Sequence, residues 1–506
     1  MSHTPTITTD SGVPPAPKSY SASSWDMHKW AMGAGANYWM YTQFATIMLV
    51  YTTGFKLDPR LVGIALFFPR LVDGLIDPIL GHLSDITHTK WGRRRPFLFM
   101  TTILGAFLVV AIWMPSTAWP QWMQCAWLTV GATLLFSTWG TYTMAHQALG
   151  YELSDDYNDR SRVFAILGVY AAIMSIGGGY YYWTAVQLGN GIHWPLKFAG
   201  WEWTLAIPSV GGEINGIRIL SVFSAVMILI CGFIPVFFCR ERFVNANRTH
   251  VSLWQACLTT LKCRPFALIL LMQIIRGLGL YSAFAGYIGI YYVCGGNKSL
   301  FLAAQQGLGG ILGAVGAFTM WPLAKPLTRH IGKRWGIVLC SGISFLYAIL
   351  LPFITIPGRI YLLVFTGFAF MFPNMLAGMF GSSIMPDICD IDELSSGERR
   401  EGLFASVQSC ISKWETSIAM LVSMWVLSLI GFDADLPQQS PAVLTRMLWW
   451  AFTPLIITTG VTFFIAFKIP VTEEFMNDVR ARLEKRRAEA AAKMAVPGTT
   501  RNSSDR

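Results

Sequence analysis

Charged residues are scarce in this sequence. Asp, Glu, Lys and Arg make up only 13% of its 506 residues, whereas 53% of the residues are hydrophobic and 14% are aromatic. The mean hydropathy is +0.46, and this composition lies outside that of a typical soluble domain. The sequence therefore excludes an ordinary soluble protein and indicates a chain that lies in a membrane.

Signals for several other classes of protein are missing. The nine cysteines are scattered, without CxxC spacing, so we predict neither a disulfide nor a metal site from them. The first 24 residues lack the pattern of a cleavable signal peptide and are predicted to form a disordered tail. The sequence contains no HExxH motif and no GxSxG motif in a plausible context, so it does not favour an enzyme.

Long apolar stretches recur along nearly the whole chain. Between Trp30 and Phe467, stretches of about 18 or more residues follow one another, each long enough to cross about 30 Å of hydrocarbon as a helix. An even number of such helices places both chain ends on one side of the membrane. We predict twelve spans, at residues 30–52, 60–83, 97–116, 121–149, 162–189, 218–239, 265–293, 300–321, 335–356, 358–385, 402–430 and 444–468.

The basic residues indicate which side the chain ends occupy. They are concentrated in short loops on the side of the termini, and cytoplasmic loops carry an excess of Lys and Arg. Both termini are therefore predicted to be cytoplasmic, in a multi-pass protein of the cytoplasmic (inner) membrane. Membrane topology also explains the net charge of +10 better than a nucleic-acid partner does. The residues concerned are Lys90, Arg93, Arg94, Arg95, Arg160, Arg162, Arg240, Arg242, Lys262, Arg264, Lys325, Arg329, Lys333 and Arg334.

The chain divides near its middle into two comparable halves. GHLSDITHTKWGRRRP and WPLAKPLTRHIGKRWG each follow the second span of a half and place glycine and basic residues in a short loop. Two parallel six-helix halves with a site between them are the architecture of major facilitator transporters. We predict an all-α fold of this kind. Its parts are an N-terminal tail at 1–29, an N-terminal half at 30–239, a central cytoplasmic loop at 240–264, a C-terminal half at 265–468 and a cytoplasmic tail at 469–506.

Two segments outside the spans have distinctive compositions. The outer loop at 190–217 is rich in Trp and Gly, and its tryptophans are either anchors at the membrane surface or a lid over the substrate. The basic stretch from Glu473 to Lys493 is predicted to form a cytoplasmic helix near anionic lipid, without a role in transport.

The second span carries two carboxylates inside its apolar sequence. Asp73 lies near mid-membrane and Asp77 one turn further in, on the same helical face. Each charge at the centre of a membrane helix costs roughly 2.5 to 3.5 kcal/mol, so the two carboxylates need partners. Arg70 can neutralise only one of the two carboxylates. The group is either an internal ion pair or an oxygen-rich site for a coupling cation, Na⁺ or H⁺. We favour the cation site.

Other spans carry isolated charges. Lys413 in span eleven is a countercharge for a carboxylate on another span, a cation that competes there with the coupling ion, or both. Arg276 in span seven has no acidic residue within one turn, so it either pairs across the interface between the halves or faces an anionic substrate. Further polar residues complete the lining of a predicted wet cavity: His146, Gln147, Glu152, Asn374 and Gln408.

Three ordered segments carry a resemblance to a known family. RLVDGLIDPILGHLSDITHTKWGRRRPF, TYTMAHQALGYELSDDYNDRSRV and PDICDIDELSSGERREGLFASVQSCISKW resemble the second helix with its loop, the fourth-to-fifth region and the tenth-to-eleventh region of the glycoside-pentoside-hexuronide:cation symporters. This is the family of the melibiose permease. The resemblance extends over about 440 residues and implies a major facilitator fold and cation-coupled transport.

The resemblance also implies a cation site and a gating loop. Asp73 and Asp77 match the carboxylates of the family's cation site, Thr143 adds an oxygen, and Lys413 matches the lysine associated with them. If sodium is the coupling ion, Asp73 and Asp77 are its metal ligands. A more widely shared loop motif predicts a latch on the inner face, formed by Asp85, Arg93, Arg94 and Arg95.

The substrate side departs from the family pattern. Asn37 and His146 stand where the melibiose permease has aspartates, Gly150 replaces a tryptophan, and Tyr170 replaces an arginine. These substitutions remove two negative charges and one positive charge, and Arg276 adds a positive charge. With His146 and Arg276 expected near the cavity, an anionic sugar such as a hexuronide is one hypothesis. The candidate substrate-binding residues are Asn37, Tyr41, Arg70, His146, Tyr170, Arg276, Gln408 and Trp414.

We therefore expect a monomeric secondary symporter without a cofactor, whose partners are the lipid bilayer and a small sugar or glycoside. Binding of Na⁺ or H⁺ would neutralise the carboxylates before the substrate binds. Only the fully loaded or the empty protein would then switch from opening outward to opening inward, because a lone buried charge is costly. The carboxylates with Thr143 suit Na⁺, whereas His146 offers a proton carrier. A lysolipid transporter of the same fold and a non-transporting membrane sensor remain alternatives.

Overall fold

The computed structural model describes residues 23–86, 89–92, 94–151, 153, 163, 166–171, 173–174, 180–198, 201–239, 260–279, 281–309, 311–313, 315–316, 319, 330–396 and 401–495. Within these ranges the chain is mainly helical. The N-terminal half contains α1 (Ser24–Ala31), α2 (Gly33–Thr53), α3 (Pro59–Ile86), α4 (Arg95–Ala111), α5 (Gln121–Tyr151), α6 (Tyr181–Asn190), β1 (Ile192–Phe198), β2 (Trp201–Ile207) and α7 (Glu213–Phe238).

The C-terminal half and the tail are also helical where they are described. Their elements are α8 (Arg264–Gly277), α9 (Tyr281–Tyr287) with a π-helical turn (Ile288–Val293), α10 (Lys298–Ala303) with a π-helical turn (Ala304–Leu308), α11 (Lys333–Ile354), α12 (Ile360–Ser396), α13 (Glu401–Leu429), α14 (Pro441–Ala466) and α15 (Glu473–Ala495).

Local sequence signals explain several helix ends. The Ser23 side chain accepts a hydrogen bond from the backbone N–H of Asp26 and so caps α1. Ser440 caps α14 in the same way, and Pro441 occupies the first helical position, where its missing N–H costs nothing. Shortly after the end of α13, Gly431 adopts a φ of 85°, a conformation that glycine adopts without strain.

The described helices overlap the predicted spans, but several of their ends differ. Helix α1 (Ser24–Ala31) begins inside the segment assigned to the N-terminal tail, and α7 begins at Glu213 instead of residue 218. The span predicted at 402–430 is the helix Glu401–Leu429. Span seven is interrupted after Gly277, and span ten continues to Ser396 instead of ending at residue 385. Within the described ranges, four helices are long and apolar enough to cross a membrane by length and composition: Glu213–Phe238, Lys333–Ile354, Ile360–Ser395 and Pro441–Ala466.

The all-α fold is present, and the loop predicted at 190–217 adds a short hairpin between α6 and α7 that the sequence did not lead us to expect. Strands β1 and β2 pair antiparallel there, with Ile192 opposite Ile207 and Phe198 opposite Trp201. Both strand sequences, IHWPLKF and WEWTLAI, are rich in the aromatic and branched residues that favour extended backbone. A hairpin therefore follows α6.

Helix α3 packs against helices of both halves. It packs against α5 in its own half and against α13 in the other half. Two glycines allow the close approach, because Gly63 lies against Met424 and Gly74 lies against Trp414. This contact places the charged part of α3 beside the charged part of α13.

The C-terminal helix α15 packs on the C-terminal half. Asp387 of α12 is 3% exposed and accepts hydrogen bonds from Lys333 at 2.6 Å and from Arg480 of α15 at 2.9 Å. The apolar face of α15 is buried in the same cluster through Met476, Val479 and Leu483. The predicted tail helix is therefore present and packs against protein.

Candidate functional site

A buried carboxylate at the contact between α3 and α13 is bound by two basic side chains. Asp73 is 1% exposed, and its Oδ2 atom lies 3.4 Å from Arg70 Nη1 and 3.0 Å from Lys413 Nζ. Arg70 precedes Asp73 by one helical turn, whereas Lys413 reaches it from the other half. The contact expected of Lys413 as a countercharge on another span is present.

Aromatic rings hold the guanidinium group of Arg70. Its Cζ lies 3.7 Å from the centroid of the Phe44 ring, 4.9 Å from that of Phe136 and 5.6 Å from that of Trp139. Cation–π contacts of this kind stabilise a desolvated guanidinium by up to about 2 kcal/mol. They fix the position of Arg70 beside Asp73.

Asn37 and Thr143 form a polar group next to these rings. The Thr143 hydroxyl lies 3.1 Å from Asn37 Oδ1 and 2.8 Å from the carbonyl oxygen of Trp139, and the indole N–H of Trp139 also donates to Asn37 Oδ1. The sequence did not single out Trp139. It precedes Thr143 by four residues, so its position on the same helical face was the available signal.

The structure describes only part of the predicted inner latch and of the predicted pair of carboxylates. The side chains of Asp77 and Asp85 and the whole of Arg93 lie outside the described residues. Arg94 immediately precedes α4. Arg95 Nε donates to the carbonyl oxygen of Val236 at 2.5 Å, a contact within the N-terminal half.

Two cavities lie near this site, and Arg70 and Lys413 line the central one. The central cavity, of about 610 Å³, is lined by residues of both halves, and the C-terminal cavity, of about 410 Å³, lies in the C-terminal half. They share Gln273, Arg276 and Gln408. The other charged or aromatic residues that line the central cavity are Arg70, Trp139, Lys413 and Glu415. The predicted residues Arg70, Arg276, Gln408 and Lys413 therefore come together.

Glu415 is a site residue that the sequence did not identify as such. Its side chain lies directly against Gly277, beside Gln273 and within electrostatic range of Arg276. Glu415 lies two residues after Lys413, so the two side chains point from different faces of α13. Which helix each face meets depends on packing between helices, which spacing does not reveal.

His146 is buried away from the two cavities. It is 2% exposed, its ring lies 4.9 Å from that of Trp30 at an interplanar angle of 13°, and it also stacks on Tyr142. His146 Nε2 lies 2.8 Å from the Trp30 carbonyl oxygen, and Trp30 Nε1 donates to the His146 carbonyl oxygen. The same indole covers Gly150. Trp30 thus fills the space beside two positions at which the chain departs from the family pattern.

The predicted aromatic residues lie in different surroundings. Tyr41 is 43% exposed, and its ring lies 5.6 Å from that of Trp139. The Tyr170 hydroxyl lies 3.3 Å from Nδ1 of His28 in α1. Trp414 packs against α3 and donates from Nε1 to the carbonyl oxygen of Leu71 at 3.4 Å. Tyr41 therefore lies beside Trp139, which lines the central cavity, and Trp414 belongs to the contact between the halves.

Ion pairs join the halves on the predicted outer side. Lys298, before span eight, lies 3.0 Å from Glu213 at the start of α7, and the Tyr182 hydroxyl also donates to Glu213. Lys56, between α2 and α3, pairs with Asp435, which follows α13. Each pair takes one residue from each half.

Comparisons with known proteins show which family and which transporters the whole chain resembles. The family model described as MFS/sugar transport protein matches residues 30–473. The chain is 24% identical to the inner membrane symporter YicJ of Escherichia coli, over 83% of this chain and 85% of that protein. It is 23% identical to the isoprimeverose transporter of Lactiplantibacillus pentosus, over 81% of each chain.

Solved structures show the same fold at low sequence identity. The crystal structure of the nucleoside transporter NupG superposes with a TM-score of 0.59 at 11% identity, covering 88% of this chain and 98% of that one. A bacterial homologue of the lysosomal transporter Spinster, in an inward-facing and unoccupied conformation, superposes with a TM-score of 0.54 at 13% identity. These likenesses concern the fold.

Proposed function

Because the chain belongs to the MFS/sugar transport protein family and is a multi-pass integral membrane protein, we propose that it is a cation-coupled symporter of a sugar or glycoside. Its substrate binds in the central cavity, and the two halves alternately open that cavity to each side of the membrane. The relative named as an isoprimeverose transporter supports a glycoside as the substrate class, and the relative named as a symporter supports coupled transport.

The observation that carries this proposal is the sharing of Asp73 between Arg70 and Lys413. A buried carboxylate without partners is costly, and a cation that binds it competes with the charges already present. When Na⁺ or H⁺ binds at Asp73, Lys413 loses attraction to α3. Ion binding thereby alters the contact between the halves and links the ion to the movement that carries the substrate.

The second carboxylate of the proposed cation site is Asp77, one turn after Asp73 on the same face. Thr143 would add a hydroxyl oxygen; it contacts Asn37 and the carbonyl oxygen of Trp139, whose ring faces Arg70. Carboxylate and hydroxyl oxygens suit Na⁺, whereas protonation of a carboxylate requires no further ligand. Either cation is therefore compatible with the proposed coupling.

An uncharged glycoside suits the central cavity better than a hexuronide does. The hypothesis of an anionic sugar depended on His146 and Arg276. His146 is enclosed by Trp30 and Tyr142, and Arg276 has Glu415 nearby. The positive charge of Arg276 is thus partly offset within the protein.

The test is uptake into proteoliposomes under an inward gradient of Na⁺ or H⁺. We expect wild-type protein to accumulate a labelled glycoside, and Asp73→Asn to abolish the gradient-driven part of the uptake. Asp478→Asn removes a carboxylate that is 53% exposed on α15 and serves as the matched control, with wild-type uptake expected. Unchanged gradient-driven accumulation by Asp73→Asn would disprove the coupling role of Asp73. Inhibition by lysolipids and by no glycoside would disprove the sugar substrate.

A further inference from the structure

Helix α13 carries charged side chains on two faces. Lys413 reaches Asp73 of α3, whereas Glu415 lies against Gly277 at the end of α8. Residues two apart point about 200° apart around a helix, so the two charges meet different neighbours. A single helix therefore borders both the candidate cation site and the opposite wall of the central cavity.

A glycine makes room for the Glu415 carboxylate. The Glu415 side chain occupies the space in which a Cβ atom of residue 277 would stand. Gly277 is the last residue of α8 and directly follows Arg276. The carboxylate is thereby held beside the Gln273 amide and within electrostatic range of the Arg276 guanidinium, and all three side chains line the central cavity.

The charges around the central cavity divide into two groups. One group is Asp73 with Arg70 and Lys413, which both bind it. The other group is Arg276 and Glu415, two opposite charges that line the C-terminal wall of the same cavity. We propose that Glu415 and Arg276 together bind the hydroxyl groups of an uncharged sugar and select it against the corresponding uronate, an inference that rests on the proposed function.

The chemistry of the two groups fits a diol. A carboxylate accepts hydrogen bonds from two neighbouring hydroxyl groups, and a guanidinium donates to hydroxyl and ring oxygens. The amides of Gln273 and Gln408 offer both donors and acceptors at the same wall. A uronate would bring its own carboxylate near Glu415, and the repulsion between the two would offset its attraction to Arg276.

The test compares methyl glucoside with methyl glucuronide and methyl galactoside with methyl galacturonide. The members of each pair differ only at C6, which is a hydroxymethyl group or a carboxylate. Their dissociation constants are measured by calorimetry on the purified full-length protein. We expect wild-type protein to bind the neutral member at least about tenfold more tightly. Glu415→Gln should reduce that ratio by at least about tenfold, because Arg276 can then attract the uronate.

Two further variants separate recognition from general damage to the fold. Glu415→Asp keeps the charge and is expected to keep the preference for the neutral sugar. Glu484→Gln makes the same chemical change at an exposed position of α15 and is expected to match wild type. A ratio for Glu415→Gln within twofold of wild type, a wild-type preference for uronates, or binding of neither pair overturns this assignment. The uptake assay then shows separately whether glycoside transport fails as well.

Discussion

Lys413 Nζ lies 3.0 Å from Asp73 Oδ2, and the two residues belong to opposite halves of the molecule. Arg70, which also binds Asp73, comes from the same helix as the carboxylate. The contact of Lys413 with Asp73 therefore joins the two halves, whereas the contact of Arg70 with Asp73 lies within one helix. A coupling cation at Asp73 would weaken the Lys413 contact most directly, since that contact depends on how the halves are placed.

Replacing Lys413 should strengthen binding of the coupling cation. Lys413→Gln removes a positive charge 3.0 Å from Asp73, a distance at which the repulsion between Lys413 and an incoming cation is several kcal/mol at an intermediate dielectric constant. After allowance for solvent screening, we expect the half-saturating concentration of the cation to fall at least about tenfold. The measurement is cation-dependent glycoside binding, titrated with Na⁺ and separately with pH.

The exposed residue Lys468 provides the control for this prediction. Lys468→Gln makes the same chemical change outside the contact between α3 and α13 and should leave the cation dependence unchanged. An unaltered half-saturating concentration in Lys413→Gln would show that Lys413 does not compete with the cation.

Replacing His146 should leave coupling intact. His146 is held between Trp30 and Tyr142 and contacts the Trp30 carbonyl oxygen, so it is not placed to exchange protons with the central cavity. We expect His146→Gln to retain gradient-driven uptake within about twofold and to unfold at a lower temperature, because a stacked pair contributes about 0.5 to 1.5 kcal/mol.

The exposed His330 is the matched control, and His330→Gln should change neither property. The prediction fails if folded His146→Gln protein loses proton-driven uptake, since that result would identify His146 as a proton carrier.

Two contacts of Asp73 were predictable from the sequence. Arg70 and Asp73, one turn apart on α3, are in contact, as their spacing predicted. The cost of a buried charge correctly indicated that Lys413 pairs with a carboxylate on another span. Both inferences use physics that acts within one helix or on one charge. They need no knowledge of how the helices are arranged.

Packing between helices determined what spacing could not predict. Glu415 stands beside Arg276 because α13 passes the end of α8 at Gly277, and neither helix alone contains that information. His146 has the polarity expected of a cavity residue, but α1 covers it with Trp30. The hairpin of β1 and β2 was not predicted because tryptophan is common both in strands and at the membrane surface, so composition alone does not distinguish the two.

Removing the contact of Arg480 should loosen the C-terminal helix α15. Arg480 donates to the buried Asp387 at 2.9 Å, whereas Arg482 pairs only with the exposed Asp478 among the described ion pairs. Arg480 is 52% exposed and Asp387 keeps its contact with Lys333, so we expect Arg480→Ala to cost about 1 kcal/mol.

Thermal unfolding in detergent, followed by tryptophan fluorescence, measures this effect. Arg482→Ala is the control and should leave the unfolding temperature nearly unchanged. Equal shifts in the two variants would mean that the Asp387 contact does not hold α15.

The two ion pairs on the predicted outer side differ in their exposure to solvent. The side chains of Lys298 and Glu213 are 23% and 17% exposed, whereas those of Lys56 and Asp435 are 59% and 65% exposed. Exposed ion pairs contribute little because water and salt screen them, and partly buried pairs contribute more. The pair of Lys298 and Glu213 should therefore contribute more to holding the outer ends of the halves together.

Lys298→Ala is consequently expected to increase the population with separated outer ends about fivefold, which corresponds to about 1 kcal/mol, and Lys56→Ala by less than about twofold. The distance between spin labels at Ser116 and Arg359, introduced in a background without native cysteines, reports that population. These positions are exposed and lie in the loops between α4 and α5 and between α11 and α12, so the labels do not disturb either ion pair. Equal effects of the two lysine variants would show that burial does not set the strength of the outer contact.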